Sequence, residues 1–196
     1  MRNEGPIPNS VGSPATSFAA LSVGALDYAP SSRTLYEYLG LVYGADGEPG
    51  TGDERAGMGR VMRPDAGVRV VNFSSRGPLS DGRLGPEITA LGQWTFYVGP
   101  QDELTWASGT SFSAPTVSGA AALLNAYWED KGKETAPAIL ENVLVAGANA
   151  GLVGVPWQSP NAQGAGALDV PASLDRLKKG KWMRTPNLPS GQTLAA

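Results

Sequence analysis

Ser108-Gly109-Thr110-Ser111-Phe112-Ser113-Ala114-Pro115-Thr116-Val117-Ser118-Gly119 is the stretch on which the reading of this chain turns. Gly109 permits a sharp turn, and the pattern after it predicts a helix over residues 111–129, with Val117, Ala120, Ala121, Leu123, Leu124 and Tyr127 forming an apolar surface. Ala114, Ser118, Gly119 and Ala122 are small, so the helix is expected to be nearly non-polar all round, central, and closely packed on every side. Ser111 then places a hydroxyl in the first turn, where backbone N–H groups lack intrahelical acceptors. Such donors suit a developing oxyanion, although a serine hydroxyl is a weak nucleophile without a base. The same residues also admit an N-cap serine on a core helix, or a phosphate cradle, for which the lysine and the glycine spacing are missing.

Composition narrows the chemistry further. The chain has 196 residues, enough for one domain with a real core. Lys plus Arg is 15 against 18 for Asp plus Glu, a net charge of −3, which gives no basic face for nucleic acid or an anionic membrane. Cysteine is absent, removing disulfides, thiol nucleophiles and thiolate zinc sites. Histidine is absent as well, so neither the usual general base nor the commonest metal ligand comes from these residues. No signal-peptide pattern follows Met1-Arg2-Asn3-Glu4-Gly5-Pro6, and no apolar run is long enough to span a membrane.

Outward from the central helix, short apolar runs predict strands over residues 19–25, 68–73, 87–90 and 94–98, with a tight turn at Asp81-Gly82. Further helices are predicted over 136–146 and 170–177. Interleaved strands and helices make an α/β fold. Residues 27–67 read as an inserted loop, and 178–196, basic and then rich in Pro, Asn and Ser, as a tail or linker.

Gly109-Thr110-Ser111-Phe112-Ser113-Ala114-Pro115 and the small-residue helix after it resemble the nucleophile motif of the subtilisin-like serine peptidases. Further blocks are similar in the same order: Asn3-Glu4-Gly5-Pro6, Val11-Gly12-Ser13-Pro14-Ala15, Ser22-Val23-Gly24-Ala25, Phe73-Ser74-Ser75-Arg76-Gly77-Pro78, Gly85-Pro86-Glu87-Ile88-Thr89-Ala90-Leu91-Gly92 and Gly164-Ala165-Gly166-Ala167-Leu168-Asp169-Val170. The resemblance covers about residues 3–177 apart from the insertion. It implies the C-terminal half of a subtilase catalytic domain, with a partial parallel sheet flanked by helices and the upstream strands absent.

The resemblance makes Ser111 the acyl-forming nucleophile, with its own N–H and the Asn3 side-chain amide as oxyanion donors. Glu4, Gly12 and Ala15 match positions lining or rimming the primary specificity pocket. The backbone carbonyls of Ala15, Ser17 and Ala20 match a weak calcium or sodium site of some subtilisins, while catalysis itself needs no cofactor. The family's aspartate and histidine lie upstream of its asparagine, so the implied partners are a peptide or protein substrate and an upstream segment bearing those two residues. This chain alone is expected to be inactive, and its parent secreted if it follows most of the family. Two alternatives stand beside this reading: a non-catalytic fragment or peptide-binding scaffold, and a sedolisin-type peptidase, whose oxyanion group is an aspartate where this chain has Asn3.

Overall fold

The computed structural model describes residues 5–27, 68–133, 136–152 and 159–180. Three strands form one sheet in the order β2-β1-β3, from β1 (Val23–Asp27), β2 (Arg69–Val70) and β3 (Ile88–Leu91). β1 and β3 run parallel in the register Val23 to Ile88 through Leu26 to Leu91, whereas β2 is antiparallel to β1. Beyond the β1 ladder, Thr89 of β3 is bridged in parallel to Ala167, which is itself bridged to Asn149. A separate hairpin of β4 (Thr95–Val98) and β5 (Leu104–Ala107) leads into α1 (Thr110–Glu129). α2 (Pro137–Gly147), a 3-10 turn at Ala150–Leu152, α3 (Pro160–Gln163) and α4 (Val170–Lys179) complete the described elements.

All five residues of β1 are buried, as expected of a strand covered on both faces. On one face Val23, Ile88 and Ala90 meet Val117, Ala120, Leu124 and Trp128 of α1, with Val143 and Leu144 of α2 and Leu177 of α4 closing the cluster. On the other, Leu26 packs with Val68, Val70, Ala162 and Ala167. A third, small cluster joins Val11, Ala15 and Leu79. Asp27, buried at the end of β1, lies 3.5 Å from the Arg69 guanidinium of β2, so the antiparallel pair is tied by charge as well as by its ladder.

The α/β class holds, with differences in where the elements begin, end and face. The first strand starts four residues later than the apolar run at 19 suggests, because residues 14–20 fold into successive turns: Ser17 N–H donates to the Pro14 carbonyl and Ala20 N–H to that of Ser17. The strand expected over 68–73 shrinks to Arg69–Val70, because the chain turns where Ser74 N–H bonds the Val71 carbonyl. It runs antiparallel to β1, beside the expected parallel pairing of β1 with β3. Finally, α1 buries one side only. Thr110, Ser113, Val117, Ala120, Leu124 and Trp128 face inward, while Ser118, Gly119, Ala122 and Leu123 are exposed, Leu123 at 66%.

The hairpin's second strand was not expected. α1, α2 and α4 reproduce the predicted helices within one or two residues at each end. Asp27 belongs to β1 and not to the insertion, whose residues 28–67 lie outside the described residues. Lys178 and Lys179 extend α4 into the expected tail, and Gly180 ends it in the left-handed conformation at φ 62°. Among the described residues no helix is long and apolar enough to cross a membrane.

Leu124 is the residue through which α1 grips the sheet, 2% exposed within the main cluster. Leu124→Ala is expected to lower stability by about 2–5 kcal/mol, read from urea or thermal unfolding, while Leu123→Ala on the exposed side should change it by less than about 0.5 kcal/mol.

Candidate active site

Ser111 stands in the first turn of α1, exposed, between the buried Thr110 and the intermediate Phe112. The turn is fixed from below by the carboxyl ends of the two parallel strands. Gly92 and Gln93 N–H groups both donate to the Leu26 carbonyl at 3.0 and 3.2 Å, and Gly109 N–H donates to the Gly92 carbonyl at 2.7 Å. Ser108 Oγ accepts from Trp94 N–H at 3.0 Å, so the hairpin and the turn before α1 are closed against each other. Open α/β sheets place ligands at this end of their parallel strands.

Glycine is required at position 92 by a close approach. A Cβ there would stand 2.2 Å from Ser113 Oγ, 2.7 Å from Ala25 Cβ and 2.9 Å from the Gly109 carbonyl oxygen. Thr110 and Ser113 are 1% and 0% exposed, so the helix start is pinned by its inward residues while Ser111 remains exposed. Phe112 N–H is used by the Gly109 carbonyl at 3.1 Å, and the Ser111 N–H, one position earlier, has no acceptor within the helix. Pro115 removes the N–H that would bond the Ser111 carbonyl. Among the described residues nothing is hydrogen-bonded to the Ser111 hydroxyl.

An aromatic wall flanks this turn. Tyr97 of β4 lies 5.3 Å from the Phe112 ring, and Trp94 meets Trp106 of β5 edge-on at 5.1 Å. Sequence reading missed this wall because β5 has only four residues and its pairing with β4 is not local to the motif.

Asn3 and Glu4 lie outside the described residues. Gly5, next to them, is held where its N–H meets the Phe73 carbonyl at 3.0 Å, beside the turn that follows β2. Gly12 and Ala15 share one turn, Ala15 N–H donating to the Gly12 carbonyl at 3.1 Å. Ala15 packs inward against Val11 and Leu79, so its side chain is part of a small core. Ser17 and Ala20 follow in the same run of turns, where the Ser17 carbonyl accepts from Ala20 N–H. Between the two expected carbonyl ligands Ala15 and Ser17, the Thr16 carbonyl accepts from the Arg83 guanidinium. Among the described residues no group of three or more acidic residues could hold a metal ion.

Among the described residues, two charged groups have shifted ionisation. The side-chain hydrogen bond from Arg83 holds the Asp81 carboxyl below its usual range, and the hydrogen bond to the Asp130 carboxylate raises Lys131. Neither is bonded to Ser111. Glu87 is committed to the start of β1, its Oε2 accepting from both Ser22 N–H and Ser22 Oγ.

Ser111 thus presents its hydroxyl on the exposed first turn of a helix, at the carboxyl end of a parallel strand pair, beside an N–H with no intrahelical acceptor. The chain belongs to the subtilase family, whose profile matches residues 3–166. It is 31% identical over 192 residues to pyrolysin of Pyrococcus furiosus, covering 90% of this chain and 12% of that protein. Over 117 residues it is 33% identical to the C5a peptidase of Streptococcus pyogenes, 57% of this chain and 10% of that one. Among solved structures the fold is similar to the protease domain of PatA, with a TM-score of 0.58 at 23% identity over 92% of this chain and 48% of that one. The prenylagaramide maturation protease PagA gives a TM-score of 0.58 at 22% identity over 90% of this chain and 48% of its own. The chain thus spans about an eighth or less of these curated relatives and about half of these structures.

The contact between Gly92 and Ser113 is testable by a double-mutant cycle. Gly92→Ala should destabilise by about 1–3 kcal/mol through overpacking. Ser113 Oγ is buried with no hydrogen-bond partner, so Ser113→Ala should be neutral or stabilising and should recover part of the Gly92→Ala loss. Additive effects in thermal unfolding would contradict the contact.

Proposed function

We propose that this chain is the nucleophile-bearing part of a subtilisin-type serine endopeptidase. Ser111 attacks the scissile peptide carbonyl once a histidine, oriented by an aspartate, removes its proton. The 196 residues contain no histidine, so in this reading the base is supplied by other polypeptide, together with the aspartate that the family resemblance puts upstream of Asn3. As the Ser111 Oγ–C bond forms, the carbonyl electron pair moves to oxygen, where the Ser111 N–H and the Asn3 amide donate to it. Collapse of that intermediate breaks the C–N bond, the amine leaves with the proton from the imidazolium, and water releases the acyl group by the same steps. Glu4, Gly12 and Ala15 are assigned to the pocket for the side chain preceding the scissile bond.

The observation that supports this most is the exposed Ser111 on the first turn of α1, with an N–H free of any intrahelical acceptor, in a chain matched over residues 3–166 to the subtilases. A second reading, a peptide-binding scaffold without chemistry, is favoured by the absence of histidine.

Labelling by a fluorophosphonate probe separates the two. The chain alone is expected to stay unlabelled, because no base activates Ser111, and to label at Ser111 when a polypeptide bearing the upstream aspartate and histidine is added. Stoichiometric labelling of the chain alone, lost in Ser111→Ala, would place the base within these residues. Peptide binding with no labelling under any condition would favour the scaffold. In the complete enzyme Asn3→Ala should lower kcat by about 10²–10³ with KM little changed, the range that removing one oxyanion donor produces in subtilisin. A loss under about threefold would remove Asn3 from that role.

A further inference from the structure

Arg83 is a buried cation held on several sides. It is 8% exposed, follows the tight turn at Asp81-Gly82, and its guanidinium makes three different contacts. Nε lies 2.8 Å from Asp81 Oδ2, Nη2 donates to the Thr16 carbonyl, and Cζ sits 3.8 Å from the centre of the Phe18 ring. The turn presenting it is closed by Leu79 N–H on the Arg83 carbonyl at 2.8 Å and by Arg83 N–H on Asp81 Oδ1 at 3.2 Å. Leu79 in turn packs against Val11 and Ala15. Two loops far apart in sequence, 11–18 and 79–83, are therefore joined by one apolar cluster and one guanidinium.

The loop 14–20 is where the family resemblance puts a weak cation on the carbonyls of Ala15, Ser17 and Ala20. The donor set does not fit a cation well. The Thr16 carbonyl between two of these ligands already accepts from a positively charged group, and a metal ion bound one residue away would be repelled by it. The Ser17 carbonyl is also used by the Ala20 N–H. Phe18, 81% exposed, covers the guanidinium with its ring face, which strengthens that charge's hold on the loop and lessens its hydration.

We infer that Arg83 is a built-in cation for this loop: its guanidinium supplies the positive charge that an ion would otherwise bring, and holds in place the turn that carries Gly12 and Ala15. Arg83 is thus a positioning residue for the proposed specificity pocket. Its pocket role rests on the proposed function, whereas the ordering of the two loops by Arg83 stands without it. A carboxylate at 81 completes the arrangement, and the Arg83 hydrogen bond keeps that carboxylate ionised further into acid than a free one.

Hydrogen exchange on the full chain tests it, read at the amides of residues 12–18 and 79–83. In the wild type, exchange should be the same in chelator, in millimolar calcium chloride, and in sodium or choline chloride. Arg83→Ala should speed exchange at Ala15, Ser17 and Leu79 by about tenfold or more while α1 stays protected. Arg83→Lys should retain part of the protection, and millimolar guanidinium added to Arg83→Ala should restore part of it, which a loss of packing alone would not allow. Slower loop exchange in wild type on adding calcium or sodium would overturn the inference, as would an Arg83→Ala loop that exchanges like wild type. If Arg83→Ala exposes the whole chain, Asp81→Asn decides. A rise confined to residues 12–18 and 79–83 supports the tether, and no change there overturns it.

Discussion

The place where the first turn of α1 closes on the end of β3 is the constraint on which the rest of the site depends. The Gly92 carbonyl accepts from Gly109 N–H at 2.7 Å, and with no Cβ at position 92 the buried Ser113 can sit against it. The same residue's N–H is bonded to the end of β1 through the Leu26 carbonyl. One glycine thus links both parallel strands to the helix that carries Ser111. Moving the helix start by even a methyl group's width would separate the hydroxyl and its neighbouring N–H from the surface they share.

Packing beneath that junction is one-sided. The inner face of α1 is filled by the sheet together with α2 and α4, and its outer face presents Ser118, Gly119, Ala122 and Leu123 to solvent. Small residues on a helix face allow a close neighbour, and the proposal that this chain is part of a larger catalytic domain supplies one. The same proposal accounts for an exposed Ser111 hydroxyl to which no described residue is hydrogen-bonded.

The loops joined by Arg83 follow a different physical logic. Residues 14–20 form turns instead of extending β1, so the Thr16 carbonyl takes its donor from outside any strand ladder. Arg83 supplies that donor from a loop 67 residues further along the chain. The block Gly164-Ala165-Gly166-Ala167 works in a comparable way on β3, where Thr89 is fully buried with its hydroxyl on the Gly166 carbonyl at 2.8 Å. A Cβ at Gly164, which also has φ 62°, would lie 2.3 Å from the backbone of Glu87.

Sequence alone determined the α/β class, the three longer helices and Ser111 at a helix start, because these depend on local periodicity and on glycine and proline, which act within a few residues. It also determined, by the absence of histidine, that any serine chemistry of the subtilisin type needs a base from elsewhere. Tertiary structure decided the rest. Whether residues 68–73 pair as six or as two, whether β2 runs antiparallel, and which side of α1 is buried all depend on partners distant in the chain, for which a run of apolar residues carries no signal. Arg83 could be seen in the sequence only as the residue after a turn. That its guanidinium reaches Thr16 and Phe18 is a consequence of two loops being folded together, and no local pattern records it.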